Sequence, residues 1–122
     1  MGVALVLYTI FSIESGRIMS KYGNIKTVTT DGIKHDSIKE ATRWCELKLL
    51  ERAGMIQDLQ RQVKYLLIPK QEGERAVYYI ADFVYTENGK KVVEDAKGCR
   101  TEVYKLKKKM MLYFHGIKIK ET

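Results

Sequence analysis

Two carboxylates that could bind a cation and a lysine that could act on a phosphate stand close together in the sequence: Asp82, Asp95 and Lys97. Asp82 lies in the run RAVYYIADFVY, and Asp95 and Lys97 lie in the run VVEDAKG. The first run is rich in Val, Ile, Tyr and Phe, and the second begins with two Val, which predicts two β-strands. Charged residues are seldom buried unless they are paired or bind a ligand. The first question is therefore whether the fold brings the two aspartates together.

A turn signal lies between the two predicted strands. Asn-Gly at residues 88 and 89 predicts a β-hairpin with a two-residue type I′ turn. Counting back from that turn puts Asp82 opposite Asp95 on the paired strands. Because successive side chains point to opposite faces of a strand, Asp82, Asp95 and Lys97 are predicted to share one face.

Two carboxylates that face each other at a Cβ separation of ~5 Å repel one another unless a shared proton, a basic neighbour or a cation offsets the repulsion. Lys97, diagonal to Asp82, is the basic neighbour in the predicted register. Two convergent carboxylates also suit a hard divalent ion such as Mg²⁺, which takes oxygen ligands and retains waters. The alternative is a charged hairpin end whose side chains reach solvent, with a bulge that changes the register. The spacing leaves both interpretations open.

The positive charge is concentrated in the last third of the chain. The chain has 122 residues, enough for one domain with a substantial core, and its net charge is +7. Residues 90 to 122 contain ten Lys and Arg against four Asp and Glu, whereas the residues before them are nearly balanced. A basic surface attracts nucleic acid through its phosphates, although a lysine-rich helix is often only a soluble face. Charge alone leaves both interpretations open.

The cysteines and histidines predict no metal site. Cys45 and Cys99 are too few and too far apart for a zinc cluster or a disulfide framework, which predicts reduced thiols and a cytoplasmic protein. His35 and His115 have no metal-ligand spacing with the cysteines or with each other, so each is predicted to be structural or on the surface.

The N-terminal segment differs from the rest of the chain. GVALVLYTIFSI is an apolar run of twelve residues, too short for a ~20-residue membrane span, and no Lys or Arg precedes it as in a signal peptide. We therefore interpret residues 1 to 18 as an N-terminal extension, either an upstream-initiated segment or an added strand or helix. Residues 19 to 122 are predicted to form a single domain.

The first half of that domain contains a predicted hairpin at residues 25 to 34 and a predicted helix. The helix is capped by Ser37 or the residue before it and runs to about Ala53, where Gly54 ends it. Ser37-x-x-Glu40 is a capping-box pattern, so Glu40 in the first turn has a structural explanation. The residues predicted to form the inward stripe are Ile38, Ala41, Cys45, Leu49 and Ala53.

The second half is predicted to add a strand at residues 61 to 68, the hairpin, a helix from Thr101 to about His115 and a short strand at residues 117 to 120. The residues of this helix predicted to face inward are Val103, Leu106, Met110 and Tyr113. The order helix, strand, hairpin, helix, strand predicts an α/β fold with a mixed central β-sheet flanked by helices.

The pattern of Asp82 followed by Asp-Ala-Lys at residues 95 to 97, on a hairpin between two helices, resembles the metal-site motif of the PD-(D/E)XK nuclease superfamily. Over residues 21 to 119, the chain also resembles a small and mostly phage-encoded family of uncharacterised proteins that is assigned to that superfamily. The runs that carry this resemblance are KYGNIKTVTTDGIKHDSIKEATRWCELKLLERAGMIQDLQRQ, VVEDAKG and TEVYKLKKKMMLYFHG. Ala81 stands where the motif nominally has proline. The resemblance implies a restriction-endonuclease-like αβββαβ core.

The same resemblance implies a divalent-metal-dependent DNA endonuclease. Mg²⁺ or Mn²⁺ would be bound by Asp82, Asp95 and the backbone carbonyl of Ala96. Lys97 would orient the attacking water and stabilise charge on the phosphate. Glu40 would bind the metal through water or help to bind a second ion, which completes a catalytic set of Glu40, Asp82, Asp95 and Lys97.

Residues for DNA binding are expected beside that site. Arg100, Lys105, Lys108 and Lys109 are predicted to bind phosphates next to the cut, and the alternative for them is solvated surface charge. Only the resemblance suggests that Gln62 lies near the site.

Three classes of function follow from the sequence. The first is a metal-dependent DNA endonuclease that acts on branched or junction DNA, in the cytoplasm of a host cell if the chain is phage-encoded. The second is a nucleic-acid-binding module of the same fold that does not cut, and the third is a structural or interaction protein with a soluble basic helix. Paired incisions in a junction would require two copies related by a two-fold axis, so a resolvase-like role predicts a homodimer, and the alternative is a monomer that nicks one strand.

Overall fold

The computed structural model describes residues 14–19, 25–29, 31–96 and 100–122. Contacts divide the chain into two compact units, Met1–Met55 and Ile56–Thr122. Lys97 and Cys99 lie outside the described residues, as does most of the predicted N-terminal extension. No helix among the described residues is long and apolar enough to cross a membrane.

The described part of the first unit contains three antiparallel strands and one helix. The strands are β1 (Glu14–Met19), β2 (Ile25–Val28) and β3 (Lys34–His35), in the sheet order β1-β2-β3, and the helix is α1 (Ile38–Arg52). The predicted hairpin at residues 25 to 34 is confirmed by the pairing of Val28 with Lys34. Its turn closes through a hydrogen bond from the Gly32 N–H to the Thr29 carbonyl, at 2.8 Å.

Helix α1 begins and ends where its local chemistry predicts. The Ser37 hydroxyl accepts a hydrogen bond from the Glu40 N–H at 3.1 Å, which satisfies one of the donors left open at a helix N-terminus. After the last turn, Gly54 has a φ of 78°, a conformation that glycine adopts without the steric cost of a side chain.

The buried face of α1 differs in part from the predicted stripe. The buried residues of this helix are Glu40, Ala41, Trp44, Cys45 and Leu47. Ile38 and Ala53 of the predicted stripe are exposed instead. The buried face is centred on Trp44, whose Nε1 donates a hydrogen bond to Asp31 Oδ2 at 2.7 Å, a contact outside the helix that its own sequence period does not reveal.

The described part of the second unit contains a four-stranded sheet and one helix. The strands are β4 (Gln57–Ile68), β5 (Val77–Glu87), β6 (Lys90–Asp95) and β7 (Lys120–Glu121), and the helix is α2 (Glu102–His115). The sheet order is β4-β5-β6-β7, with antiparallel neighbours except for the parallel pair β6 and β7. The prediction of an α/β fold with a mixed sheet is therefore confirmed. Strand β4 begins earlier than predicted, and β7 covers only the end of the predicted segment and one residue beyond it.

The predicted register of the β5–β6 hairpin is confirmed. Glu87 pairs with Lys90 beside the turn, and the last pair of the ladder is Phe83 with Glu94. The two turn residues, at 88 and 89, have φ values of 51° and 76°, so both have the positive φ that a type I′ turn requires. In the described sheet, β5 lies between β4 and β6, and β6 lies between β5 and β7, so neither strand of the hairpin is at an edge.

The prediction of which face of α2 points inward is wrong for most of its residues. Tyr104 and Met111 are buried, and Met110 packs partly buried against the core as predicted. The residues of the predicted face that are exposed instead are Val103, Leu106 and Tyr113. The predicted face and the buried face both have a helical spacing of three or four residues. The buried face includes the half-buried lysines at 107 and 108, which lie between Tyr104 and Met111 in the sequence. The methylene groups of a lysine side chain can cover apolar surface while the ammonium group stays in water. A pattern of apolar residues therefore does not identify a buried face that contains two lysines.

The core of the second unit is formed by the sheet, α2 and the segment before β7. Its buried residues are Leu67, Tyr79, Ala81, Val84, Val93, Tyr104, Met111 and Ile119. Strand β5 supplies three of them, which follows from its central position in the sheet. This core fixes the strand ends on which the predicted site residues lie.

Candidate metal and nucleic-acid site

A row of four polar residues crosses the sheet of the second unit at the open end of the β5–β6 hairpin. Gln62 on β4 lies opposite Asp82 on β5, because the residues on either side of them are paired. The hairpin register, extended by one residue beyond its last pair, puts Asp82 opposite Asp95. Asp95 in turn pairs with Glu121 on β7 in the parallel ladder. We call Gln62, Asp82, Asp95 and Glu121 the polar row.

Gln62 has an uncommon backbone conformation. Its φ is 54°, in the left-handed region that non-glycine residues adopt infrequently. Such conformations cost free energy and are found often at functional sites. The strand pairing thus brings Gln62, which the resemblance alone had associated with the site, next to Asp82.

The Asp82 carboxylate is held by the backbone at the end of β6. Its Oδ2 accepts a hydrogen bond from the Ala96 N–H at 3.0 Å, and the residue is half-buried. The bond keeps this carboxylate beside the strand end that carries Asp95 and Ala96. A carboxylate has about four lone-pair sites, so the hydrogen bond is compatible with coordination of a cation.

Asp95 is a buried carboxylate, with only 1% of its surface exposed. Its Oδ2 accepts a hydrogen bond from the Tyr79 hydroxyl at 2.5 Å. Burial raises the pKa of Tyr79, and the hydrogen bond to Asp95 raises it further, so the hydroxyl keeps its proton and acts as the donor. Tyr79 therefore orients the Asp95 carboxylate from within the core.

Glu121 connects the polar row to the cations around α2. Its carboxylate accepts hydrogen bonds from Lys108 Nζ at 2.7 Å and from the Tyr104 hydroxyl at 3.0 Å. Arg100 Nε lies 2.9 Å from Glu121 Oε2. The hydrogen bond from Lys108 is the largest cause that lowers the pKa of Glu121, and Tyr104 and Arg100 lower it further. The carboxylate is therefore charged at neutral pH and compensates two cations.

A groove with a volume of about 680 Å³ lies along α2 beside Glu121. Its lining residues are Arg100, Glu102, Tyr104, Lys105, Leu106, Lys108, Lys109, Leu112 and Glu121. We call it the basic groove, since four cations and two carboxylates line it. The four cations are the four residues predicted to bind phosphates. Glu102 pairs with Lys105 at 3.1 Å, whereas Lys109 makes no ion pair with any residue that the structure describes.

A further buried carboxylate, Glu94, neighbours Asp95 but has a different environment. Its Oε1 accepts a hydrogen bond from the Tyr85 hydroxyl at 2.7 Å, and its Oε2 accepts one from the Thr122 hydroxyl at 3.1 Å. Both oxygens thus contact hydroxyl groups of the protein. Glu94 is paired with Phe83 in the hairpin and lies outside the polar row.

Glu40 lies in the first unit, in the first turn of α1 as predicted, and it is buried. Its Oε1 is 3.6 Å from Nδ1 of the buried His35, whose Nε2 is 3.3 Å from the Thr29 hydroxyl. The hydrogen bond from the Glu40 N–H to Ser37 supplies the first half of the predicted capping box. These contacts agree with a structural role for His35, and the metal-binding role of Glu40 stays a prediction.

A comparison with protein families finds a match to the family described as "Protein of unknown function (DUF1064)", over residues 19–121. The chain belongs to the DUF1064 family. The DUF1064 match begins at the residue where the predicted domain begins and extends over both compact units. No curated protein and no solved structure matches the chain. The boundary between the predicted N-terminal extension and the domain stays a prediction.

Metal binding by the DUF1064 domain would depend on few side chains. Among the residues that the structure describes, no group of three or more His, Cys, Asp and Glu is arranged to hold a metal ion. Mg²⁺ retains several waters and is usually bound through one or two carboxylates and the phosphates of a substrate. The predicted donor set has two carboxylates, Asp82 and Asp95, and the backbone carbonyl of Ala96, and metal binding by it stays a prediction. Lys97, the predicted catalytic lysine, lies outside the described residues.

Sequence reasoning missed three polar residues of the DUF1064 domain that contact the predicted site. The alternation along β5 assigns Tyr79 to the face opposite Asp95, so a hydrogen bond between them was not expected. Glu121 reaches the polar row only through the parallel pairing of β6 with β7. Tyr104 was missed because α2 was predicted in the wrong phase. No local sequence signal could have identified the pairing of β6 with β7, because helix α2 lies between these two strands in the sequence.

Proposed function

We propose that the chain is a divalent-metal-dependent DNA endonuclease of the PD-(D/E)XK superfamily, from a phage-associated group, that hydrolyses phosphodiester bonds in branched or junction DNA. One observation carries the proposal: Asp95 of the polar row pairs with Glu121, and Glu121 lines the basic groove. The carboxylates predicted to bind a metal and the cations predicted to bind phosphates are thus neighbours within one unit. A metal-dependent nuclease needs both parts side by side, because the metal acts on the phosphate that the cations hold.

Asp82, Asp95 and the backbone carbonyl of Ala96 would hold Mg²⁺ or Mn²⁺. When bound, the ion would polarise the scissile phosphate and acidify a coordinated water. The two carboxylates lie on neighbouring strands, and each is oriented by a hydrogen bond, Asp82 from the Ala96 N–H and Asp95 from Tyr79. Protein ligands of metals are commonly oriented by a second partner of this kind.

The remaining residues have separate tasks. The Tyr79 hydroxyl holds the Asp95 carboxylate in place and is shielded from water by its own burial. Lys97 would neutralise negative charge that develops on the phosphate during hydrolysis. The four cations of the basic groove would bind phosphates on either side of the cut and so fix the position of the DNA backbone. Paired cuts in a junction would use two copies of the chain, one for each strand.

The decisive experiment compares Asp95→Asn with Glu94→Gln. Both side chains are buried on β6, both accept a hydrogen bond from a tyrosine, and an amide oxygen can still accept that bond. We expect Asp95→Asn to lower Mg²⁺-dependent cleavage by roughly 100-fold or more, because the metal loses a charged ligand. Glu94→Gln should cut like the wild type. Cleavage is measured on a four-way junction with Mg²⁺, Mn²⁺ or EDTA, and thermal unfolding checks that both variants fold.

Equal activity of the two variants would contradict the proposed metal site, and cleavage in EDTA would contradict metal dependence. Supercoiled, linear and single-stranded DNA, tested beside the junction, identify the substrate. Lys97→Ala extends the test to the lysine and should also lose cleavage. DNA binding by Asp95→Asn should equal or exceed that of the wild type, because the substitution removes a negative charge from the vicinity of the phosphates.

A second candidate function is a nucleic-acid-binding module that does not cut. The observation that favours it is that no group of three or more His, Cys, Asp and Glu among the described residues is arranged to hold a metal ion. The same assays separate the two functions. A module would bind DNA through the basic groove, with Lys109→Gln weakening the binding, and would release no cleaved product with Mg²⁺ or Mn²⁺.

A further inference from the structure

Two neighbouring aromatic side chains near the end of α2 are open to solvent. Tyr113 is 83% exposed and Phe114 is 52% exposed. Their rings contact each other edge to face, with centroids 5.0 Å apart and planes at 84°. We call them the aromatic pair. Large apolar rings that stay exposed side by side are a feature of surfaces that bind a partner.

Tyr113 of the aromatic pair lies on the side of α2 that lines the basic groove. Lys105, Lys109 and Tyr113 are spaced by four residues along α2, so they lie in one row on the same side of the helix. Lys105 and Lys109 line the groove, and Leu112, next to Tyr113, lines it as well. The row from Lys105 to Tyr113 spans ~12 Å along the helix axis, since each residue rises ~1.5 Å.

We propose that the aromatic pair is a stacking platform for unpaired nucleotides whose phosphates are bound by Lys105 and Lys109. Proteins that bind single strands combine a positively charged groove along the backbone with aromatic rings on which bases stack. This inference rests on the nucleic-acid-binding part of the proposed function. It narrows the substrate to DNA with a single-stranded segment.

Charge selects nucleic acid among the partners that an exposed aromatic surface can bind. The basic groove has four cations and two carboxylates, and Lys109 makes no ion pair with any described residue. The surface beside the rings therefore attracts an anionic backbone. In a duplex each base is already stacked between its neighbours, whereas an unpaired base can place its face on a tyrosine ring. The platform therefore distinguishes single strands from duplex.

The test is fluorescence anisotropy in EDTA, with a labelled oligodeoxythymidylate of about 12 nucleotides and a duplex of equal length. We expect Tyr113→Ala to weaken single-strand binding by roughly 5- to 100-fold, the value of one lost stacking contact, and to leave duplex binding unchanged. Tyr113→Phe should restore binding because the ring remains. Val103→Ala, at another exposed apolar residue of α2, is the matched control and should have no effect.

Two kinds of result would overturn the inference. One is that Tyr113→Ala weakens single-strand and duplex binding equally, or that Val103→Ala weakens single-strand binding as much as Tyr113→Ala does. The other is evidence of a different partner: Tyr113-dependent binding to phosphatidylserine vesicles without single-strand preference, or a dimer that Tyr113→Ala dissociates in sedimentation. Because EDTA prevents cleavage, a wild-type protein that binds no DNA at all would instead contradict the proposed function itself.

Discussion

Helices α1 and α2 are alike at their ends and different along their sides. α1 has 15 residues and α2 has 14, and each begins with a hydroxyl side chain that accepts a hydrogen bond from a backbone N–H at 3.1 Å. Each is followed by a glycine with positive φ, Gly54 after α1 and Gly116 after α2. The difference lies in burial, since α1 buries five residues and α2 buries only two.

This difference teaches that helix formation and helix burial have separate causes. Caps are local, so similar cap residues give similar ends. Burial depends on what the rest of the unit presents to the helix. The described contacts of α1 centre on Trp44, which reaches Asp31, whereas α2 contacts Glu121 through Tyr104 and Lys108 and leaves its other face exposed. The exposed face of α2 is therefore available to a partner.

The largest effect in this comparison should come from one substitution made on each helix. Leu47 of α1 is 0% exposed and Leu112 of α2 is 56% exposed. We expect Leu47→Ala to lower the free energy of unfolding by about 2 to 5 kcal/mol, because it removes buried methyl groups and leaves a cavity. Leu112→Ala should change it by less than about 0.5 kcal/mol. Urea unfolding monitored by circular dichroism measures both, and a similar cost for the two variants would show that α2 is covered in solution.

The cap residues should give smaller and nearly equal effects. Ser37→Ala and Thr101→Ala each remove the side-chain oxygen that accepts a backbone N–H at the start of a helix. We expect each to cost about 1 kcal/mol, regardless of how much of the helix is buried. Amide hydrogen exchange in the first turn of each helix is the measurement. A clearly larger cost in α1 would mean that its cap is coupled to the burial of the face that follows.

The smallest effect should come from the carboxylates that accept hydrogen bonds from the helices, Asp31 for α1 and Glu121 for α2. Burial alone would raise the pKa of Asp31, but hydrogen bonds from Thr29 and Trp44 outweigh it and lower the pKa. The pKa of Glu121 is also lowered, chiefly by Lys108. A lowered pKa in the folded state means that the stabilisation is present above the ordinary pKa and is lost as the pH falls through the folded value.

We therefore expect Asp31→Asn and Glu121→Gln each to cost about 1 kcal/mol or less at pH 7, since both groups contact solvent. The cost should shrink as the pH falls below about 4, because the wild-type carboxylates then become protonated as well. Thermal unfolding of each variant and the wild type from pH 7 to pH 3 gives the difference. A cost that does not depend on pH would mean that the hydrogen-bond geometry matters and the charge does not.

The β5–β6 hairpin is the part of the fold that was predictable in detail. Residues 88 and 89 adopt the positive φ values that Asn-Gly favours, and the turn then fixes each pair up to Phe83 with Glu94. The position of Asp82 and Asp95 at the open end follows by counting. The basic residues of α2 were likewise predictable as a group, because they lie within one helix.

Tertiary structure decided the contacts between distant segments. The sequence by itself determined the helix ends, the hairpin turn, its register and the excess of positive charge in the last third of the chain, since each depends on residues close together in the chain. Only the folded sheet decided that β7 pairs with β6, that Tyr79 donates to Asp95 and that Glu121 joins the polar row to the basic groove. Only the packing of α2 decided which of two equally spaced faces is buried. The physical reason is that burial and parallel pairing depend on surfaces supplied by segments far away in the sequence, about which a local pattern of residues contains no information.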